Sequence, residues 1–287
     1  MKPAPSNVSA SILSRLKNEA AKNSEPFNPL LARYVGFRLL YRLSISPYRD
    51  QFLIKGATMF LFWTGSAHRP TRDLDLLSLT NSDLDELRDL FVSICEIECA
   101  EDGVVFDSDS VTSELIREEQ AYGGSRIKLV GYLGTARIPL QIDVGLGDAV
   151  TPGPVEIIIP GIVSAVPEAR IRGYPVETAI AEKFHAMVVL GLNNSRMKDY
   201  FDVAMLAYSM FIDADTLRRA VEATFRRRKT ELPVEVPICF KKEFANDPQV
   251  STRWRAFVRK NDITTPFDDL EFVQSKLRGL LLPTIDH

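Results

Sequence analysis

Apolar residues recur at helical spacing through the N-terminal part: Ile12, Leu13 and Leu16, then Leu30, Leu31, Tyr34, Phe37, Leu40 and Tyr41. This spacing predicts two helices, the first capped at Asn7 or Ser9, the second opening on Asn28-Pro29, a cap with proline at the first helical position. Phe52-Leu53-Ile54 reads as a short buried strand, and the small-residue turn Lys55-Gly56-Ala57-Thr58 leads from it into an apolar helix start at 59–63. A polar loop over 65–72 precedes Asp73-Leu74-Asp75-Leu76-Leu77, whose period of two predicts a strand with carboxylates on one face and leucines on the other. Leu84, Leu87, Phe91 and Ile94 predict a helix over about 83–99 behind a cap at Asn81-Ser82. Strands are expected at 126–132 and 138–144, an antiparallel pair around a glycine turn, and at 155–159, after an irregular Gly- and Pro-rich connection. From Val176 onward the texture is helical, with apolar faces over 176–190, 196–210, 215–229, 251–260 and 266–281.

The pattern predicts an α+β fold. A mixed-sheet core with N-terminal helices occupies 1–165, and a helical part, expected to complete the active site, occupies 166–287. A chain of 287 residues, 45% hydrophobic and 25% charged, can bury a core of that size. The net charge of −3 means that a nucleic-acid partner would need a local basic patch. Three cysteines with no C-x-x-C pair argue against a disulfide scaffold or a zinc site. Cys95 and Cys99, four apart on one expected helix, read as small helix residues. No apolar run approaches the ~18 residues of a membrane span, and MKPAPSNVSA lacks the apolar run of a signal peptide. The expectation is a cytoplasmic protein that does not engage a membrane.

Asp73 and Asp75 carry the strongest chemical signal. Two residues apart on a strand they point to one side, with Cα atoms ~6.6 Å apart. Such a pair is either a solvated strand face or a seat for Mg²⁺, which takes one or two carboxylates, waters and the phosphate oxygens of a nucleotide. The Lys-Gly-Ala-Thr turn upstream favours the second reading: Gly56 permits close backbone approach, N–H groups at a helix start hold phosphate oxygens, and Thr58 adds a hydroxyl donor. Asp143, inside the apolar strand Leu140-Gln141-Ile142-Asp143-Val144, must be paired or liganded, by an arginine or amide on one reading, as third metal ligand and proton acceptor on the other. Lys183 sits on an otherwise apolar helix, where it either extends its stem to water or reaches a triphosphate. Asp199 and Asp202 share a helix face, and Lys198 with Asp202 could be a plain i,i+4 ion pair.

In order along the chain stand Lys55-Gly56-Ala57-Thr58, Arg69-Pro70-Thr71-Arg72-Asp73-Leu74-Asp75, Ile142-Asp143, Ala181-Glu182-Lys183 and Arg196-Met197-Lys198-Asp199-Tyr200-Phe201-Asp202. Together they resemble the AbiEii/AbiGii toxin family of nucleotidyltransferases, in the polymerase-β-like superfamily, over roughly residues 30–215. Ala57 departs from the pattern, in which a second glycine is common. The resemblance implies a type IV toxin, with a cognate antitoxin, that uses an NTP and Mg²⁺ (or Mn²⁺) to add nucleotides to RNA, the tRNA 3′ end being a favoured acceptor. It implies Asp73 and Asp75 as metal ligands, joined by Asp143 from its strand position. Lys183 would contact the nucleotide phosphates, and Asp202 with Asp199 would line the catalytic pocket. Lys55, Gly56, Thr58 and Thr71 complete the expected nucleotide site.

Beyond the resemblance, Arg218, Arg219, Arg226, Arg227, Arg228 and Lys229 crowd one expected helix, with Glu222 among them. They are either a solvated helix end or an RNA phosphate-binding surface. Transfer to a protein hydroxyl or small molecule, and a non-catalytic binding module, remain as alternatives. A glycosyltransferase could use the D-x-D pair but leaves Asp143, Lys183 and Asp202 without a role.

Overall fold

The computed structural model describes residues 6–65, 73–116, 124–164 and 166–285. Ten helices are found among them: α1 (Ser6–Lys22), α2 (Phe27–Ile45), α3 (Thr58–Thr64), α4 (Leu84–Cys95), α5 (Val176–Leu190), α6 (Met197–Ser209), α7 (Ala214–Arg227), α8 (Lys242–Asn246), α9 (Pro248–Lys260) and α10 (Leu270–Leu281). Seven strands, β1 (Phe52–Lys55), β2 (Asp73–Ser78), β3 (Val104–Ile116), β4 (Gly124–Leu133), β5 (Ala136–Leu146), β6 (Val155–Ile159) and β7 (Ala169–Gly173), form one sheet in the order β3-β4-β5-β2-β1-β7-β6. The sheet is mixed: β2 runs parallel to β5 and β1 to β7, and the other neighbours are antiparallel. The fold is α+β.

The residues divide into two compact units. The first takes the chain up to Met59, the stretch ending at Gly147, and Val155–Gly173. The second takes the stretch opening at Phe60, then Asp148–Pro154, and the chain from Tyr174 onward.

In the first unit the leucines of β2 (Leu74, Leu76 and Leu77) are buried, as their alternation with Asp73 and Asp75 requires. Helix α2 lies close to the sheet at two glycines. A Cβ on Gly36 would touch Leu74, and one on Gly131 would come within 2.6 Å of Val35. Tyr34, Arg38 and Arg42, spaced four apart on α2, converge on Asp102. Arg38 Nε and Arg42 Nη1 donate to Asp102 Oδ2 at 2.9 and 2.8 Å, while Tyr34 donates to its main-chain oxygen at 2.8 Å. All three ionic side chains are buried.

The second unit packs around Phe184, Tyr200, Phe201, Phe225, Phe240, Phe244 and Trp254. Its 148–154 segment is tied to α5 by a reciprocal pair: Thr151 N donates to Thr178 Oγ1, which donates back to Thr151 O, both at 2.9 Å.

Several boundaries differ from the sequence reading. Helix α2 opens at Phe27 with Pro26 at the cap, ahead of Asn28-Pro29. Helix α4 is capped by Asp83, in a reciprocal box with Glu86, and ends at Cys95, so Cys99 lies off the helix. Asp269 caps α10, moving its start past Pro266 to Leu270. Strands β3 and β7 had no counterpart in the hydrophobic pattern.

Candidate active site

Strand register assembles the site. Lys55 on β1 opposes Asp75 on β2, Asp75 opposes Asp143 on β5, Asp143 opposes Arg126 on β4, and Arg126 opposes Glu114 on β3. Directly opposed residues project to the same side of a sheet, so these five charges form a row across it. The adjacent row on that side holds Asp73, Gln141 and Lys128. The alternation of β2 thus places Asp73, Asp75 and Asp143 on one face, with Lys55 and Arg126 flanking them.

Gly56 shapes the seat of Asp75. Its φ is +69°, and a Cβ there would lie 1.9 Å from Asp75 Oδ2, so only glycine leaves the carboxylate its place. Gly145, two residues beyond Asp143, similarly leaves space for the Lys55 ammonium, which would stand 3.1 Å from an added Cβ. Thr58 opens α3 and is buried. Thr71, with His68, Arg69 and Arg72, lies outside the described residues.

Asp143 is held by Arg126 through two parallel bonds, Nε to Oδ1 and Nη2 to Oδ2, both 2.8 Å, while Gln141 Nε2 stands 3.3 Å from Oδ1. The hydrogen bond to Asp143 pushes the Arg126 pKa up, and the charges of Asp143, Asp73 and Glu114 add to it against a partial desolvation. Among the described residues no group of three Asp, Glu, His or Cys side chains is disposed to hold a metal ion as it stands. The donors on this face are hard carboxylate oxygens, and Asp75 is seated in a slot that only glycine opens. That chemistry fits Mg²⁺ or Mn²⁺, which take one or two carboxylates and complete their shell with water and phosphate.

A second charged cluster lies within the helical unit. Lys183 Nζ on α5 donates to Asp199 Oδ1 at 2.7 Å and to Asp202 Oδ2 at 2.8 Å, and Arg196 Nε donates to Asp199 Oδ2 at 2.7 Å. The lysine side chain is 14% exposed and the two carboxylates 0% and 2%. Burial alone would lower the lysine pKa and raise that of Asp199. The facing charges outweigh it, so Lys183 is pushed up and Asp199 is pulled down to about 2. The three residues singled out in sequence are therefore brought together, with the ammonium engaged by both carboxylates rather than by water. Asp202 pairs with Lys183 across helices, which replaces the i,i+4 pair with Lys198. Lys183→Ala would leave two buried like charges, so a loss of about 3–5 kcal/mol is expected. Urea unfolding checks it, and a loss below about 1 kcal/mol would mean that the cluster is not a buried ion network.

Arg228 departs from the expected basic surface. Its guanidinium turns inward to Asp148 Oδ1 at 3.2 Å, Glu182 Oε2 at 3.7 Å and His185 Nδ1 at 3.4 Å. Arginine can only donate, so Nδ1 carries the lone pair and Nε2–H donates to Thr230 Oγ1 at 2.9 Å. Arg226, Arg227 and Lys229 are exposed. Arg218 donates to Pro283 O and Arg219 to Thr216 Oγ1, both at the surface. Burial first, then the Arg228 charge, lowers the His185 pKa from 6.5 to about 4, with Asp148 opposing. A depressed folded pKa gives stability that is complete above 6.5 and lost as pH falls toward 4. His185→Gln should flatten stability between those values, measured as the difference in urea midpoint between variant and wild type at pH 7 and 4.5. Parallel pH curves for the two proteins would contradict this.

The sequence reading did not find Arg126 or the inward role of Arg228. A cation directly opposite Asp143 in the hairpin register was the available signal for the first.

No curated protein matches the chain. Among solved structures, one described as a candidate nucleotidyltransferase from Helicobacter pylori superposes with a TM-score of 0.51 at 15% identity, covering 90% of this chain and 97% of that one. JHP933 from the same organism gives a TM-score of 0.49 at 16% identity over 88% and 89% of the two chains. A family model described as nucleotidyl transferase AbiEii toxin, type IV toxin–antitoxin system, matches residues 38–274. With that match spanning most of its length and both β2 carboxylates within it, the chain belongs to the AbiEii family of nucleotidyltransferase toxins.

Proposed function

We propose that the protein transfers nucleotides from an NTP to RNA, with the 3′ end of tRNA as acceptor, and thereby blocks translation until a cognate antitoxin counters it. The observation that carries this reading is the register of β1, β2 and β5, which sets three carboxylates on one face between two cations. Asp73 and Asp75 would hold Mg²⁺ or Mn²⁺, which when bound neutralises charge on the phosphates. Asp143, on the adjacent strand, would ligate as well and receive the proton of the attacking hydroxyl. Lys55 and the Gly56 turn would face the nucleotide, with Thr58 beside them. Lys183, Asp199 and Asp202 secure the helical unit, and Lys183 is the member of that cluster proposed to contact the nucleotide phosphates.

The decisive assay supplies each radiolabelled NTP with Mg²⁺ or Mn²⁺ and bulk tRNA. Label is expected at the tRNA 3′ end from a preferred NTP, and its loss on adding a chelator would establish metal dependence. Label on protein, on a small molecule, or on nothing would sink the RNA reading.

An RNA acceptor must be gripped through phosphates. The exposed cations of α7 and its C-terminal end, Arg218, Arg219, Arg226, Arg227 and Lys229, are the proposed surface. Changing Arg226 and Arg227 to Gln should weaken tRNA binding and flatten its log–log salt dependence by roughly 0.7 per lost contact. Arg228 is left in place because it holds Asp148 and His185. An unchanged salt slope would return these arginines to a solvated helix end.

A further inference from the structure

The Arg126–Asp143 pair is a bidentate fork at the part-buried face of the sheet, its side chains 30% and 24% exposed and so within reach of an incoming ligand. The pair also blocks chemistry. Both oxygens of Asp143 are occupied by the fork, although the carboxylate stands directly beside Asp75 in the row. A guanidinium fork fits two phosphate oxygens as well as it fits a carboxylate. Arg126 also lies in the field of Asp73, on the strand that bears the other proposed metal ligand. An incoming metal–nucleotide complex brings a cation for Asp143 and an anion for Arg126 at once.

We infer that Arg126 is a nucleotide-binding residue that exchanges partners: it holds Asp143 before the nucleotide arrives, then releases it to the metal and takes the phosphates. This rests on the nucleotidyltransferase reading of the same face. No bond is made or broken in the exchange, since one ion pair is replaced by two. Before nucleotide binds, Arg126 competes with the metal for Asp143. Afterwards it works with the metal.

The two stages give opposite signs in Arg126→Gln. Mn²⁺ alone, followed by its paramagnetic resonance signal on the nucleotide-free protein, should bind several-fold more tightly. A non-hydrolysable NTP analogue in saturating Mn²⁺, followed by equilibrium dialysis, should bind about tenfold or more weakly, the loss of one charge-assisted hydrogen bond or two. A pair with a purely structural role would weaken both, and that result overturns the inference, as does unchanged binding of both. Arg126→Lys keeps the charge but not the fork. It should leave Mn²⁺ affinity near wild type and still weaken the analogue, and it serves if the glutamine variant fails to fold by circular dichroism. Wild-type analogue affinity in the lysine variant would equally overturn the inference. Wild-type protein is measured first: no binding of the Mn²⁺–analogue complex there removes the nucleotidyltransferase reading and this inference together, whereas wild-type binding that Arg126→Gln leaves intact removes only the inference.

Discussion

Asparagine at position 73 or 75 is expected to lower nucleotidyl transfer by about a thousandfold or more, roughly 4 kcal/mol of barrier. The two carboxylates sit on one side of β2 beside Asp143 and Lys55, so each would supply one anionic ligand to the metal that balances the triphosphate. An amide has the same shape but no charge, and it can still ligate only weakly through its carbonyl. In Asp75→Asn the amide would also fit the slot that Gly56 leaves open, so folding should be near wild type. The check is kcat/KM for label transfer at saturating Mg²⁺, with thermal melting of each variant alongside. Wild-type turnover in either variant would remove that residue from the metal site. A large loss of Tm would mean that the carboxylates are structural counter-ions to Lys55 and Arg126.

Asp102→Asn is expected to cost about 3–5 kcal/mol of stability against a total of roughly 5–15. The carboxylate is fully buried, it accepts from Arg38, Arg42 and the Val104 amide, and its loss strands two buried guanidinium groups. The bond from Tyr34 goes to the main-chain oxygen of Asp102 and survives the change, so the effect reports the loss of the charge together with one acceptor oxygen. For a chain of this size the drop in Tm should be on the order of 10 °C. A urea midpoint within error of wild type would show that the arginines find other acceptors.

What the sequence made legible was local. The alternation Asp-Leu-Asp-Leu-Leu marks β2 because one residue in two must face the core, and Asp143 stands out as the charge in an apolar strand. Which strands adjoin is a long-range outcome. Nothing within β2 or β5 announces that they run parallel in register, and the charged row from Lys55 to Glu114 exists only through that pairing. Strand β3 was illegible because Asp107, Ser108, Asp109 and Ser110 interrupt its apolar residues, and its register with β4 shifts between Asp107 and Thr112, which spoils a period of two. Strand β7, Ala-Arg-Ile-Arg-Gly, has one large apolar residue and two cations. Asp102 looked like any acid in a Glu-Asp-Gly turn. Its partners lie some sixty residues earlier on α2, so its burial could not be foreseen. The partners of Lys183 and Arg228 were hidden for the same reason. A cation on a helix shows its spacing to neighbours in its own segment, but not the carboxylates that tertiary packing brings from another.

The interleaving of the two units along the chain has a consequence for synthesis. On a ribosome the N-terminus emerges first, and β1 enters the middle of a sheet whose flanking strands, β2 and β7, come out about twenty and about a hundred residues later. The helical unit already owns the stretch from Phe60 and the segment 148–154, yet its core helices leave the tunnel only after both. A chain stalled just past residue 173 already holds all seven strands of the sheet, whereas the helical unit then has only its two early stretches, without the helices that Phe60 and Thr151 pack and bond with. Maturation of the helical unit is thereby tied to synthesis of its C-terminal helices, while the sheet that carries Asp73, Asp75 and Asp143 does not wait for them.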